Sequence, residues 1–327
     1  MLPAMSLPLR VAVALASLMI AASAAAPAAR AQGGGKAKRL LFFTKSSGYE
    51  HAVIKVIDGK PSVAQKTLEE LGPRHGFQIT HTKDGSVFTP EGIAGYDGFI
   101  FFTSGDLTTP GNDKNPPMPQ AGKTTLLKAI ASGKGFLGIH QATGTFHSPG
   151  DRYQGNGDGA DPYIKMVGGE FIFHGVQQTA RVHCADPKFP GMADCKGDFD
   201  LMEEWYSYKN LNKDLHVLQS VATWSLKNTG KDSVYRRPPY PVTWARKEGK
   251  GRVYYTGLGH RDDVWASERF QTMIVGAMNW ITGRASAAVK PNIATVTPGF
   301  DQLPPQDIPT AAPAAAAPAA PAGSAAR

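Results

Sequence analysis

The sequence predicts an α/β domain built on a mostly parallel sheet with helices on both faces. Three observations carry that prediction. Several strand-like segments are continuous apolar runs, as expected of strands buried on both faces. Helical patterns separate them, the order of a crossover-connected parallel sheet. The apolar runs also end in short polar segments rich in Gly, Ser and His, and in such sheets ligands bind at the carboxyl ends of the strands.

Taken in order, "RLLFFTK" (39–45) is apolar and β-prone and runs into the polar loop "SSGYEH". "PSVAQKTLEELGPRHG" reads as a helix: Pro61 suits the first turn, Ala64, Leu68 and Leu71 share a face, and Gly72-Pro73 should stop it. "FQITHT" is a short strand, and "YDGFIFFTSGD" contains a fully apolar one directly after it. "GNDKNPPMPQAG" (111–122) is a Pro/Gly/Asn loop of the kind that forms a lid. "TTLLKAIASG" is a helix with Leu126, Leu127 and Ile130 inward and Gly133 past its end. "GFLGIH" is the next strand, completing β-α-β-β-α-β.

After about residue 150 the connections lengthen. "FIFHG", "QQTARVHCAD" and "LHVLQSVATWSL" read as extra strands, and "PVTWARKEGKGRVYYTGLGH" as a hairpin with a Gly-Lys-Gly turn. "SERFQTMIVGAMNWITG" closes the domain as an amphipathic helix with Phe270, Met273, Ile274, Ala277, Met278 and Ile281 on one side and Gly283 at its end.

The domain itself spans about 38–283 of the 327 residues. Residues 1–31 read as a secretory signal: Arg10, the apolar run "VAVALASLMIAA", and Ala29-Arg30-Ala31 as an A-x-A cleavage site, with cleavage after Ala26 as an alternative. That run is short for a bilayer span, so no permanent membrane anchor is expected. Residues 284–327 read as an Ala/Pro-rich disordered tail. The expected location is therefore periplasmic or secreted.

The formal net charge is +8, but the bases are scattered and not interleaved with aromatics, which excludes a nucleic-acid-binding reading. The two cysteines, Cys184 and Cys195, are expected to form a disulfide in an oxidising compartment, a short loop stabilised by roughly 3 kcal/mol or less.

The strand-end rule selects candidate site residues: Thr44, Ser47, Tyr49 and His51 after the first strand; Ser104, Gly105 and Asp106 after the third; His140 after the fourth; His260 after "RVYYTGLGH". Neutral imidazole has a lone pair and titrates near neutrality, so histidines meeting a carboxylate suit acid/base work or metal binding. His174 and Glu204, from the irregular half, complete the set. We assign His140, His260 and Glu204 as catalytic, and His51, Asp106, His174 and Tyr49 as substrate-binding. His140, His174 and His260 are candidate ligands for a divalent metal such as zinc. His51, His81 and His216, taken singly, read as ordinary hydrogen-bonded histidines, and Trp205, Tyr206, Tyr208, Trp224, Trp244 and Trp265 mostly as core.

Several motifs fail. "GKTT" (122–125) lacks the upstream glycine of a P-loop, "GNGDGADP" (155–162) lacks EF-hand spacing, and no G-x-S-x-G elbow is present.

The blocks "LLFFTKSSGYEH", "YDGFIFFTSGD", "GKGFLGIHQATGTF", "VGGEFIFH", "EEWYSY" and "PVTWARKEGKGRVYYTGLGH" fall in the order of the ThuA-like, or trehalose-utilisation, family, which the chain resembles from about 38 to 283. The resemblance implies a flavodoxin-like sheet of the class I glutamine amidotransferase-like superfamily. It marks His51, Asp106, His140, His174, Glu204 and His260. Amidotransferases carry a nucleophilic cysteine where "GFLGIHQATG" has His140, so a glutaminase is not expected. "FHGVQQ" departs from the family pattern, which more often has a proline soon after the histidine. The resemblance implies an enzyme on a carbohydrate or keto-sugar derivative, whether hydrolase, lyase or isomerase. The alternative is a non-catalytic carbohydrate-binding protein of the same fold. A small-molecule carbohydrate is the expected partner, and a homo-oligomer is compatible with the sequence.

Overall fold

The computed structural model describes residues 36–111 and 113–306. The proposed leader, 1–31, lies outside the described residues, as does the tail from 307 on.

The first half alternates strand and helix: β1 (Lys38–Phe43), α1 (Val63–Arg74), β2 (Phe77–Thr82), α2 (Pro90–Ala94), β3 (Gly98–Phe101), α3 (Gly122–Ala131) and β4 (Gly135–Ile139). Two details differ from expectation. Ser62 caps α1 by accepting from Gln65 N, which puts Pro61 just outside. The helix then runs through Pro73 to Arg74, because a proline in the last turn forfeits only its own N–H, and the reversal comes at Gly76 (φ 75°). Between β2 and β3 the chain makes the short helix α2, opened by the Thr89 cap and Pro90.

The second half contains α4 (Pro162–Val167), β5 (Glu170–His174), β6 (Gln178–Cys184), β7 (Phe199–Glu203), β8 (Tyr206–Lys209), β9 (His216–Val221), β10 (Tyr240–Glu248), β11 (Gly251–Thr256), α5 (Asp262–Ala266), α6 (Glu268–Ile281) and α7 (Ile293–Val296). Nine strands form one sheet in the order β2-β1-β3-β4-β11-β10-β9-β6-β7, and β5 pairs with β8 separately. Strands β2, β1, β3, β4 and β11 are mutually parallel, while β10, β9, β6 and β7 add antiparallel pairs. The parallel part has the flavodoxin-like order. Helices α1, α5 and α6 lie together on one face, and α3 and α4 on the other. Both central strands β3 and β4 are buried along their whole length, which explains their unbroken apolar sequence.

The segment 111–122, expected to form a lid, is tied down. Asp113 accepts from Lys45 Nζ at 3.2 Å, from Ser46 N at 2.8 Å and from Asn115 N at 3.0 Å, and Lys45 also donates to Asn115 O at 2.8 Å. Lys45 and Asp113 side chains are 0% and 2% exposed. A charge pair buried this completely anchors the loop to the end of β1.

Residues 284–306 correct the expected tail boundary. Ile293 and Phe300 are buried, Arg237 donates to Phe300 O at 2.7 Å, and His216 Nδ1 donates to Lys290 O at 2.8 Å. This stretch carries the apolar anchors that the Ala/Pro repeat beyond it lacks. Cys184 and Cys195 are joined by a disulfide. Among the described residues no helix is long and apolar enough to cross a membrane. The disulfide is consistent with an extracellular or periplasmic protein.

Glu170, at the start of β5, ties down the chain leaving β4. It accepts from Ser148 N at 3.0 Å, Ser148 Oγ at 2.6 Å, His147 Nδ1 at 3.2 Å and Asn210 Nδ2 at 2.7 Å. Burial alone would raise its pKa, but the bonds from His147 and Ser148, with the Lys209 charge, outweigh it and hold the carboxyl at about 2.

Two outcomes are expected. Lys45→Met leaves Asp113 buried without its cation and should cost about 3–5 kcal/mol in urea unfolding, with partial recovery in the Lys45→Met/Asp113→Asn pair. Glu170 has a folded pKa below its ordinary 4.5, so its stabilisation is complete above about pH 4.5 and is lost as pH falls toward 2. Glu170→Gln should remove up to about 3 kcal/mol of that acid-dependent loss in unfolding curves measured between those limits.

Candidate active site

At His140 the buried strand β4 breaks. His140 has φ 46°, in the left-handed region, and opens a tight 3-10 turn, His140–Gly144. A side chain rarely adopts that backbone without support from its surroundings. Here β11 supplies the support: Tyr255 Oη donates to His140 O at 2.7 Å, and His140 Nδ1 donates to Gly257 O at 2.8 Å. The Nδ1 proton is thereby committed, and Nε2 carries the lone pair.

Other elements bring partners to the same carboxyl edge. His51 lies in the segment after β1, just before a 3-10 turn (Ala52–Ile54). His260 follows β11 through Gly257-Leu258-Gly259. Gly259 has φ 107°, and a Cβ there would lie 3.1 Å from both Ile139 Cγ2 and Phe270 Cζ, so both conformation and space require glycine. The three rings stand 4.9 Å (His51–His140), 5.3 Å (His51–His260) and 5.3 Å (His140–His260) apart, centre to centre. Glu204 joins them from the β7–β8 junction, with Oε2 3.5 Å from His140 Nε2 and Oε1 3.5 Å from His260 Nε2. Donor atoms of His51, His140, Glu204 and His260 all lie within 4.8 Å of one another.

His174, the last residue of β5, borders this group. Its Nδ1 donates to Gly175 O at 2.8 Å and lies 3.3 Å from Glu204 Oε1, and its ring stacks on Phe173 and Tyr206. That leaves Nε2 as the lone-pair nitrogen on a half-buried ring. His174 falls outside the donor group, which takes His51 and Glu204 instead. Tyr49 borders the group, 69% exposed, with its ring edge-on to His51 at 4.9 Å. Asp106 is not brought to the cluster. It is exposed and accepts from Thr108 N at 2.9 Å and Thr108 Oγ1 at 2.7 Å, while its neighbour Ser104 turns inward to donate to Tyr49 O at 2.7 Å. His81 bonds Thr44 at 2.8 Å, away from the group.

Three residues of the site escaped the strand-end rule. Tyr206, expected in the core, donates to Gln141 Oε1, so its oxygen accepts from His51 Nε2–H at 3.2 Å and leaves His51 Nδ1 bare. Gln141 is signalled only by its place next to His140. Glu203, fully buried, accepts the amides of Gly259 at 3.0 Å and His260 at 2.6 Å on Oε1. The pair "EE" was the only sign of it. Of the aromatics expected in the core, Trp224 alone is out of it, at 77% exposure.

Burial, reinforced by the neighbouring imidazoles, pushes His51 well below its usual range. Burial, and then His140, lowers His260 to about 4. The adjacent glutamates split. Burial raises Glu203 to about 8 despite the two amides. Burial also works to raise Glu204, but His140, His174 and His260 outweigh it and lower its pKa. At neutral pH His51 and His260 are thus uncharged beside an ionised Glu204, which a protonated Glu203 backs.

Tyr206→Phe should leave Gln141 Oε1 and His51 Nε2–H without their partner and cost about 1–3 kcal/mol, read as a lowered calorimetric melting temperature.

The family model for ThuA, trehalose utilisation, matches residues 39–281. Two solved structures resemble the fold. A ThuA-like protein from Bacteroides uniformis aligns over 76% of this chain and 93% of its own, with TM-score 0.55 and 19% identity. Another from Parabacteroides merdae aligns over 82% of this chain and 97% of its own, with TM-score 0.53 and 12% identity. At such identities the likeness is one of fold. No curated protein matches the sequence. With a family match running from the second residue of β1 to the end of α6, the chain belongs to the ThuA family.

Proposed function

We propose that the chain is an exported enzyme acting on a carbohydrate or keto-sugar derivative at the cluster of His51, His140, His174, Glu204 and His260. The supporting observation is the convergence of these groups, from five separate segments, at the carboxyl edge of the parallel strands, where sheets of this kind bind ligands. The family's description as one of trehalose utilisation favours a sugar. Export rests on the leader reading of residues 1–31 and agrees with the disulfide.

His174 is the group best placed to move a proton. Its Nδ1–H is held by Gly175 O and faces Glu204, while Nε2 keeps its lone pair on a half-exposed ring. On a keto-sugar, the proton on the carbon next to the carbonyl would pass to His174 Nε2. The C–H electron pair would become the enediolate. Return of the proton at the neighbouring carbon gives an isomerase, and expulsion of a β-substituent gives a lyase. Cysteine chemistry of the glutaminase kind has no counterpart, since both thiols are consumed in the disulfide.

Incubation with a panel of disaccharides and their keto derivatives, followed by mass spectrometry, should show a converted product. His174→Ala should lower kcat by at least about 100-fold without lowering the melting temperature, since the ring is half-exposed. Saturable sugar binding with no product anywhere in the panel would replace this reading with a carbohydrate-binding role.

A further inference from the structure

We infer that His51, His140, His260 and Glu204 form the ligand set of one divalent first-row transition-metal ion of the zinc or cobalt kind. The inference shares its pocket with the function proposed above and deepens it, while resting on ligand geometry alone.

Spacing is the first argument. Ligand atoms about 2.1 Å from a tetrahedral ion stand about 3.4 Å from each other. The Glu204 oxygens lie 3.5 Å from His140 Nε2 and 3.5 Å from His260 Nε2, and all four residues offer atoms within a 4.8 Å group. Such a set needs only small side-chain adjustments to close on an ion.

The second argument is hydrogen-bond accounting. His51 Nδ1 and His140 Nε2 are buried and have no partner among the described residues. Buried polar atoms in folded proteins are nearly always paired, so two orphaned imidazole nitrogens in one cluster call for a common partner. A lone-pair acceptor of electron density, and not another hydrogen-bond acceptor, suits them.

The third is the outer layer. Histidines that bind metals donate their remote N–H to a carbonyl, carboxylate or similar acceptor, which fixes tautomer and ring angle. His140 Nδ1 does this to Gly257 O at 2.8 Å, and His51 Nε2 to Tyr206 Oη at 3.2 Å. Glu203 serves His260 through the backbone, gripping the Gly259 and His260 amides at 3.0 and 2.6 Å. Trp265 Nε1 holds the Gly259 carbonyl at 2.8 Å from the other side. Three imidazoles with one carboxylate are too nitrogen-rich for calcium or magnesium, which take oxygen ligands. A bound dication would supply positive charge beside a substrate carbonyl.

The test uses untagged full-length chain, stripped with a chelator and then titrated with Zn2+ by calorimetry and with Co2+ by visible absorption. One ion per chain is expected, with Co2+ bands of a four- or five-coordinate site. His260→Gln and the isosteric Glu204→Gln should each weaken binding by more than the roughly 10–100-fold that loss of an outer-layer partner costs. His174→Ala, outside the ligand set, should change it less than tenfold, a smaller effect than that same range. Near-ultraviolet circular dichroism checks that each variant is folded. Absence of saturable binding of either ion, or unchanged affinity in both Gln variants, overturns the inference. A metal-binding chain that converts no sugar leaves the inference standing and removes the enzyme reading. Conversion by chain that binds no metal does the reverse.

Discussion

A cluster of buried imidazoles is tolerable only if most of them stay uncharged, and this constraint shapes the rest of the site. Charging His51, His140 and His260 together would place like charges about 5 Å apart, ring to ring, away from water. One ionised carboxylate, Glu204, is the negative charge lodged among them in the described residues. The ring protons of His140 and His51 are instead directed outward to neutral acceptors, Gly257 O and Tyr206 Oη. The tight turn at His140 and the glycine at 259 are backbone consequences of aiming these rings inward.

The two adjacent glutamates show how fine that control is. Side by side in sequence, Glu203 and Glu204 leave a strand in opposite directions and meet different surroundings. Glu203 sees apolar walls and two amides and keeps its proton at neutral pH. Glu204 sees three histidines and gives its proton up. A neutral Glu203 adds no second negative charge to a pocket that already holds one, yet it still accepts the amides that orient His260. Environment, not residue type, separates their roles.

Glu204 reaches the parallel strands because the antiparallel extension of the sheet does not stay flat against them. Strand β6 pairs with β9 only over Val182–Cys184 and diverges toward its Gln178 end. Its partner β7 pairs along it to Glu203, and there the chain leaves for the separate β5–β8 sheet. Trp205 marks the crossing, donating to Gln178 O at 2.8 Å while Tyr235 Oη donates to Trp205 O at 2.7 Å. The irregular half of the chain thus contributes Glu204 and His174 to an edge otherwise made by β1, β4 and β11.

Local sequence determined the parallel core: continuous apolar runs gave β1, β3 and β4, periodicity gave α1, α3 and α6, and the strand-end rule singled out His51, His140 and His260, because burial and helical spacing are written in neighbouring residues. It also signalled the pairing of Cys184 with Cys195. Tertiary structure alone decided which candidates meet. Asp106 turned outward into its own Asx turn, His174 spent its Nδ1 on a neighbouring carbonyl, and Tyr206, Gln141 and Glu203 entered the site although the strand-end rule did not select them. The loop with the composition of a lid was bolted down by a lysine nearly seventy residues away, Lys45 to Asp113. These outcomes depend on hydrogen bonds and ion pairs between segments far apart in the chain, and no short-range pattern encodes the partner of a polar group.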